Sequence, residues 1–230
     1  MPTFSFGAAF DRFFKLFGQN FALFAVIGLI GNVAPILAAS FYLSVYLHLI
    51  PGGWSERFQN PTAESFWIVL LVSAGVGAIN LIGLSMITET AILRAVGKKV
   101  RLGEIFVHGV TNILPLFGQY IQIGLTVGLG FILLIIPGIF WAICTWVAVP
   151  AYVGQPGLGV SGAYTRSFEL TKGHRWSLFL IGLVLVGVNF VTAIGLNRAL
   201  RWLGMPDLAQ QLIAAGYNAF ATLIGNIFTV

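Results

Sequence analysis

Apolar runs long enough to cross a lipid bilayer dominate this chain, and they restrict its fold more than any other feature. A helix needs about 20 consecutive apolar residues to span a hydrocarbon core. Five runs meet that length: Phe21 to about Ile50, broken only by Asn32, Pro35 and His48; Phe66 to Leu93, enclosing Asn80 and Glu89; about Leu116 to Ile136; Trp176 to Leu196; and Leu208 to Val230. A sixth, Ile139 to Val153, is shorter and follows Pro137-Gly138, which reads as a tight break at the tip of an outer hairpin. In hydrocarbon the backbone must satisfy its own hydrogen bonds, so each run is expected to be helical. Barrel strands would alternate in short segments, and no such pattern occurs. The first run is too long for a signal-peptide core and has no small-residue cleavage site after a short one, so it reads as a span.

Composition agrees. The 230 residues are 58% hydrophobic and 8% charged, where a soluble domain is about half apolar and a quarter charged. That excludes a soluble enzyme, a disordered tail and a disulfide scaffold. The single cysteine, Cys144, has no partner for an internal disulfide. A net charge of +5, scattered along the chain, is too weak for a nucleic-acid surface.

The cations sort by side. Arg12, Lys15, Arg94, Lys98, Lys99, Arg101, Arg166, Lys172 and Arg175 fall on one, and Arg57, Arg198 and Arg201 on the other. The richer side is expected to be cytoplasmic, which places both termini inside and predicts six crossings. Three basic segments are also amphipathic. Phe6, Phe10, Phe13, Phe14 and Phe17 share a helical face opposite Asp11, Arg12 and Lys15. Leu102, Ile105, Phe106 and Ile113 line a second, with Glu104 and His108 opposite. Val160, Ala163, Tyr164, Phe168 and Thr171 line a third, opposed by Thr165, Arg166, Glu169 and Lys172. Helices of this kind lie in the membrane interface. Gly7-Ala8, Phe13, Gly18 and Leu23-Phe24 align without a gap onto Gly162-Ala163, Phe168, Gly173 and Leu178-Phe179. The expected architecture is therefore all-α and polytopic: one membrane domain over 1–230, with six transmembrane helices in three tandem units, 1–94, 95–156 and 157–230. Each unit is an interfacial helix followed by a helical hairpin.

Chemistry is hard to find. Gly157-Leu-Gly-Val-Ser-Gly162 matches a dinucleotide fingerprint only as a string, because a span precedes it where a strand is required. His48, His108 and His174 show no metal-ligand spacing, and the seven carboxylates are dispersed. No catalytic residue, metal or cofactor is expected. Glu89 lies near the cytoplasmic end of the second run, where Arg94 is the expected ion-pair partner. Asn32, Asn80 and Asn189 are expected to bond between helices, and Gly124-xxx-Gly128 and Ala74-xxx-Ala78 to bring helices close. Arg166, Lys172 and Arg175, with Trp176 at the boundary, are candidates for contacting lipid headgroups. Glu169, three residues from both Arg166 and Lys172, would brace them.

One stretch resembles a known family. The apolar run ending Ile135-Ile136-Pro137-Gly138-Ile139, the short span closing at Val149-Pro150, and the core Arg166-Ser167-Phe168-Glu169-Leu170-Thr171-Lys172-Gly173-His174-Arg175-Trp176 are similar to the membrane domain fused to some bacterial glycerophosphodiester phosphodiesterases, and to its stand-alone relatives. The resemblance covers Gly103 to Phe179 and extends more weakly over most of the chain. In fused members the chemistry belongs to a separate soluble domain. The loop Gly154-Gln155-Pro156-Gly157 lacks the acid usual there, so no role of that acid carries over. The resemblance implies a multi-pass protein of the bacterial inner membrane.

The expected function is non-enzymatic: binding or organising membrane lipids, anionic ones among them, or supporting a membrane-protein partner or homo-oligomer, with no nucleic acid. The alternative is a small transporter or channel, which needs a polar path at mid-depth.

Overall fold

The computed structural model describes residues 6–48, 63–155 and 157–228, and throughout them the regular structure is helical. In chain order the helices are α1 (Phe6–Gln19), α2 (Phe21–Gly28), a π-helical turn (Leu29–Val33), α3 (Ala34–His48), α4 (Ala63–Ala95), α5 (Leu102–Thr111), α6 (Ile113–Leu133), α7 (Ile135–Cys144), α8 (Ala148–Gly154), α9 (Gly159–Thr171), α10 (Arg175–Trp202) and α11 (Asp207–Phe228). Five are long and apolar enough to cross a membrane: Phe21–Tyr42, Phe66–Ala95, Ile113–Leu133, Ile135–Gly154 and Arg175–Trp202. The run expected to form a sixth span is helical as α11, 22 residues long, but is not among these five. The expected outer loop around Arg57 lies outside the described residues.

Prolines mark where helices restart. Pro35, Pro115, Pro137 and Pro150 all fall in the first turn of α3, α6, α7 and α8, where a missing N–H costs no helical bond. This corrects the expected hairpin tip. The chain turns at Leu134, whose backbone is extended (φ −164°, ψ 152°). Pro137 and Gly138 already belong to α7. Gly138 lets the two arms meet: a Cβ on it would stand 2.5 Å from the ring of Phe131, and one on Gly130 would stand 2.8 Å from the Cα of Gly138.

The arms stay antiparallel along their whole length. Gly130 meets Gly138, a groove joins Tyr120 to Trp146, and Tyr152 on α8 donates to Asn112 just before α6 at 3.5 Å. The short run therefore continues as α7 and α8 past a turn at Thr145, and matches α6 in length.

α4 is the axis of the molecule, with contacts to α1, α2, α3, α5, α6, α8 and α11. Its closest neighbour is the π turn. A Cβ on Gly31 would lie 2.6 Å from the Cα of Gly83, and one on Gly83 would lie 2.6 Å from the carbonyl oxygen of Gly31. Glycine on both sides allows the backbones to touch. The expected small pairs do not serve this purpose. Gly124 and Gly128 have open space where a side chain would stand, and Ala74 is exposed.

Beside this contact sits the core: Phe24, Ile27, Ile87, Ala91 and Ile105, with Phe13, Leu16 and Phe17 of α1 packed against it. The three short helices thus dock on span ends: α1 on α2, α4 and α11; α5 on α4 and α6; α9 on α6, α7 and α8. The side chains of Phe6 and Phe10 lie outside the described ones. Phe14 is turned outward, and on α5 only Ile105 of the expected apolar face is buried, with Leu102 and Phe106 exposed.

Candidate functional site

The cationic segment is built on α9 and the start of α10. α9 buries a narrow stripe of small residues, Ala163, Ser167 and Thr171, at a spacing of four. Ser167 is its anchor, donating to the Cys144 carbonyl at 2.7 Å. That carbonyl ends α7, so one hydroxyl caps one helix and docks another. The sequence reading placed Ala163 and Thr171 on this face and missed Ser167, which lies between them on the same stripe.

The outward face keeps Thr165, Glu169 and Lys172 exposed. Arg166 donates to Glu169 at 2.8 Å, an exposed pair one turn apart. The ion pair joins Glu169 to Arg166 and not to Lys172. Gly173, at φ +89°, then turns the chain into α10. Arg175 is half-buried. Its guanidinium lies 4.7 Å from the centre of the Phe140 ring, and its Nε is buried without a hydrogen-bond partner. This cation–π contact holds the side chain against α7. Trp176 is 80% exposed. Of the four candidates, Lys172 and Trp176 are fully outward, Arg166 is shared with Glu169, and Arg175 is turned inward.

Of two cavities in the described residues, only the first is lined by residues of this segment. The first, of about 370 Å³, lies between α8, the end of α9 and the start of α10. Its floor is Ile92, Val147, Pro150 and Leu178, and Gln155, Thr171 and His174 are its polar edge. The other, of about 540 Å³, is an apolar groove between α6 and the α7–α8 arm, lined by Tyr120, Gly124, Gly128, Phe131 and Trp146. The absent side chains of Gly124 and Gly128 leave this groove open. It runs about 16 Å from Tyr120 to Phe131 along α6. Neither cavity is lined by Asn32, Asn80 or Asn189. The Asn80 amide donates to its own helix at the Val76 carbonyl, 2.9 Å away, and Asn189 uses its backbone carbonyl to accept from Tyr217 at 3.2 Å. Asn32 is buried and its Oδ1 has no partner.

Glu89 departs from expectation. It pairs with His108 of α5 at 2.8 Å, not with Arg94, which points outward. One turn along both helices, Asn112 donates to Ser85 at 3.2 Å. These two polar contacts pin α5 to α4, with Gly109 closely apposed to Ile82 and Met86 between them. Periodicity put His108 beside Glu104, but Glu104 instead accepts from Arg101 at 2.7 Å. That hydrogen bond, and the carboxylate charge behind it, raise the Arg101 guanidinium above its ordinary pKa. Gln119, fully buried on α6 with neither end of its amide partnered, had no signal in the sequence beyond being a polar residue in an apolar run.

Among the described residues no cluster of His, Cys, Asp or Glu could hold a metal ion. Comparison with family models, with curated proteins and with solved structures gave no match. The functional reading therefore rests on the geometry.

Proposed function

We propose that this is a lipid-binding protein of a bacterial inner membrane, built of six membrane helices with both termini cytoplasmic, and that it holds phospholipid without acting on it. The observation that carries the reading is the 540 Å³ apolar groove between α6 and the α7–α8 arm. A membrane-facing groove of this kind is filled by hydrocarbon, because a void forfeits its dispersion contacts. An acyl chain has the required section and reach. The exposed Lys172 and Trp176 and the edge of the smaller cavity then meet the headgroup. Three repeated units, each an interfacial helix followed by a hairpin, form the frame. The helix order, and the restart of the chain at Phe21 and at Arg175, support that reading. So does the resemblance to membrane domains that accompany phosphodiester-cleaving enzymes.

The transporter reading has one observation in its favour, the unpartnered Oδ1 of Asn32 and the unpartnered amide of Gln119 in the interior. It lacks a cavity lined by them.

The test is native mass spectrometry of the purified chain with phosphatidylglycerol. Replacing both Gly124 and Gly128 with Leu fills the groove. Lipid retention should fall at least fivefold. Retention at the wild-type level refutes the groove as the binding site.

A further inference from the structure

The middle hairpin ends differently from the others. From Leu129 to Phe140 there is not one polar side chain. The stretch that should form an outer loop reads Ile132-Leu-Leu-Ile-Ile136, and the relative exposures of its ends are 81% and 80%, with Leu133, Leu134 and Ile135 at 67–68%. The corresponding segment of the first hairpin carries Glu56 and Arg57, and that of the third carries Arg198, Arg201 and Asp207. The latter three are exposed, next to a glycine turn at Gly204 (φ +64°).

We infer that the α6–α7 tip is a lipid-contact surface that ends inside the leaflet opposite the cationic helices, covered by acyl chains and not by water or a soluble partner. Three observations support this. The exposed tip is continuous with the exposed outer face of α6, where Leu125 and Leu129 already face outward. No charge or amide is available there for a soluble partner or for headgroups. The backbone is also economical, as hydrocarbon demands. The Leu134 N–H donates to the Gly130 carbonyl, and the Gly138 N–H to the Leu134 carbonyl. Pro137 has no N–H to leave unpaired, so only Ile135 and Ile136 begin α7 with free donors. Those, with the last carbonyls of α6, set the depth: side chains among acyl chains, backbone within reach of ester oxygens. A water-exposed tip would instead present five large apolar side chains to solvent, which membrane loops avoid.

The experiment is accessibility in nanodiscs, where both membrane faces are open and orientation is irrelevant. In a Cys144→Ala background, Leu134→Cys, Ile136→Cys and Leu203→Cys are compared for reaction with a charged maleimide. All three positions are exposed in the protein, so slow reaction reports lipid and not burial. Leu203→Cys should react at least tenfold faster than the other two. A bimane label at position 134 should be quenched by acyl-brominated phosphatidylcholine and not by aqueous iodide. Equal reactivity at 134, 136 and 203, or iodide quenching at 134, overturns the inference. The groove reading stands or falls separately, on lipid retention.

Discussion

Two pairs of glycines in this molecule act in opposite ways, and the sequence pattern points to the wrong one as the close contact. Gly31 and Gly83 come from different helices, share no motif, and bring two backbones into contact. Gly124 and Gly128 form the recognisable small-residue pair, yet face open space and line a groove. A glycine in a membrane helix removes a side chain. Whether the space is filled by a second helix or left for a lipid depends on what the neighbouring arm presents. Opposite Gly83 is another glycine in a widened turn. Across the groove from Gly124 and Gly128 are Ala142, Thr145, Trp146 and Val149, none close enough to fill the space.

The sharpest way to break this comparison is at the closed contact. Gly83→Leu has no room, because its Cβ alone would collide with Gly31 backbone and not with a flexible side chain. Overpacking costs about 1–3 kcal/mol even where side chains can move, so a loss at or above that range is expected here. The measurement is thermal unfolding in detergent. A variant with wild-type melting shows that the π turn is not held by this contact. The groove should behave oppositely. Gly124→Leu with Gly128→Leu should leave stability within about 0.5 kcal/mol, as for changes away from packed features, while lipid retention falls. A large stability loss instead means the groove is part of the packed interior.

How much of this was legible depended on the kind of interaction. Helix positions followed from apolar run length, and the three amphipathic helices from three-and-four spacing. Both are local signals. The break at Leu134 was misplaced because Pro137-Gly138 looks like a turn, although proline in a first turn is equally a helix start. The Glu89–His108 pair was missed because nineteen residues separate the partners, while Arg94 lay within a turn or so in sequence. Ser167, Gln119 and the Gly31–Gly83 contact carry no local pattern at all. Their roles arise only from what the opposing helix places beside them.

The α4–α5 pin gives a prediction of intermediate size. The Glu89 side chain is 17% exposed and that of His108 is 59% exposed. Hydrogen bonds to charged groups contribute about 1.5–3 kcal/mol when protected, and exposure on the histidine side reduces this toward 1 kcal/mol. Glu89→Ala should therefore loosen α5 by about 1 kcal/mol, read as faster amide exchange over Leu102–Thr111. Arg94→Ala should leave that exchange unchanged. The reverse result restores the local pair expected from sequence.

The smallest effects belong to the cationic segment, and they separate charges that look equivalent in sequence. Arg166 already spends a donor on Glu169, in an exposed one-turn pair of the kind worth about 0.3–0.5 kcal/mol. Arg175 is turned over Phe140. Lys172 is exposed with no ion pair among the described residues. A cation near an anionic surface contributes about 1 kcal/mol, and that contribution is available in full only to a side chain with free donors. Lys172→Ala should therefore weaken phosphatidylglycerol retention about fivefold, and Arg166→Ala by less. Glu169→Ala should loosen α9 slightly with no loss of attraction, because it releases Arg166 toward the membrane. Retention of all three, compared by native mass spectrometry at low and high salt, decides the matter, since screening at 1 M shortens the reach of exposed charges to about 3 Å. If Lys172→Ala and Arg166→Ala both retain lipid like the wild type at low salt, these cations only set the orientation of the chain, and lipid binding rests on the groove alone.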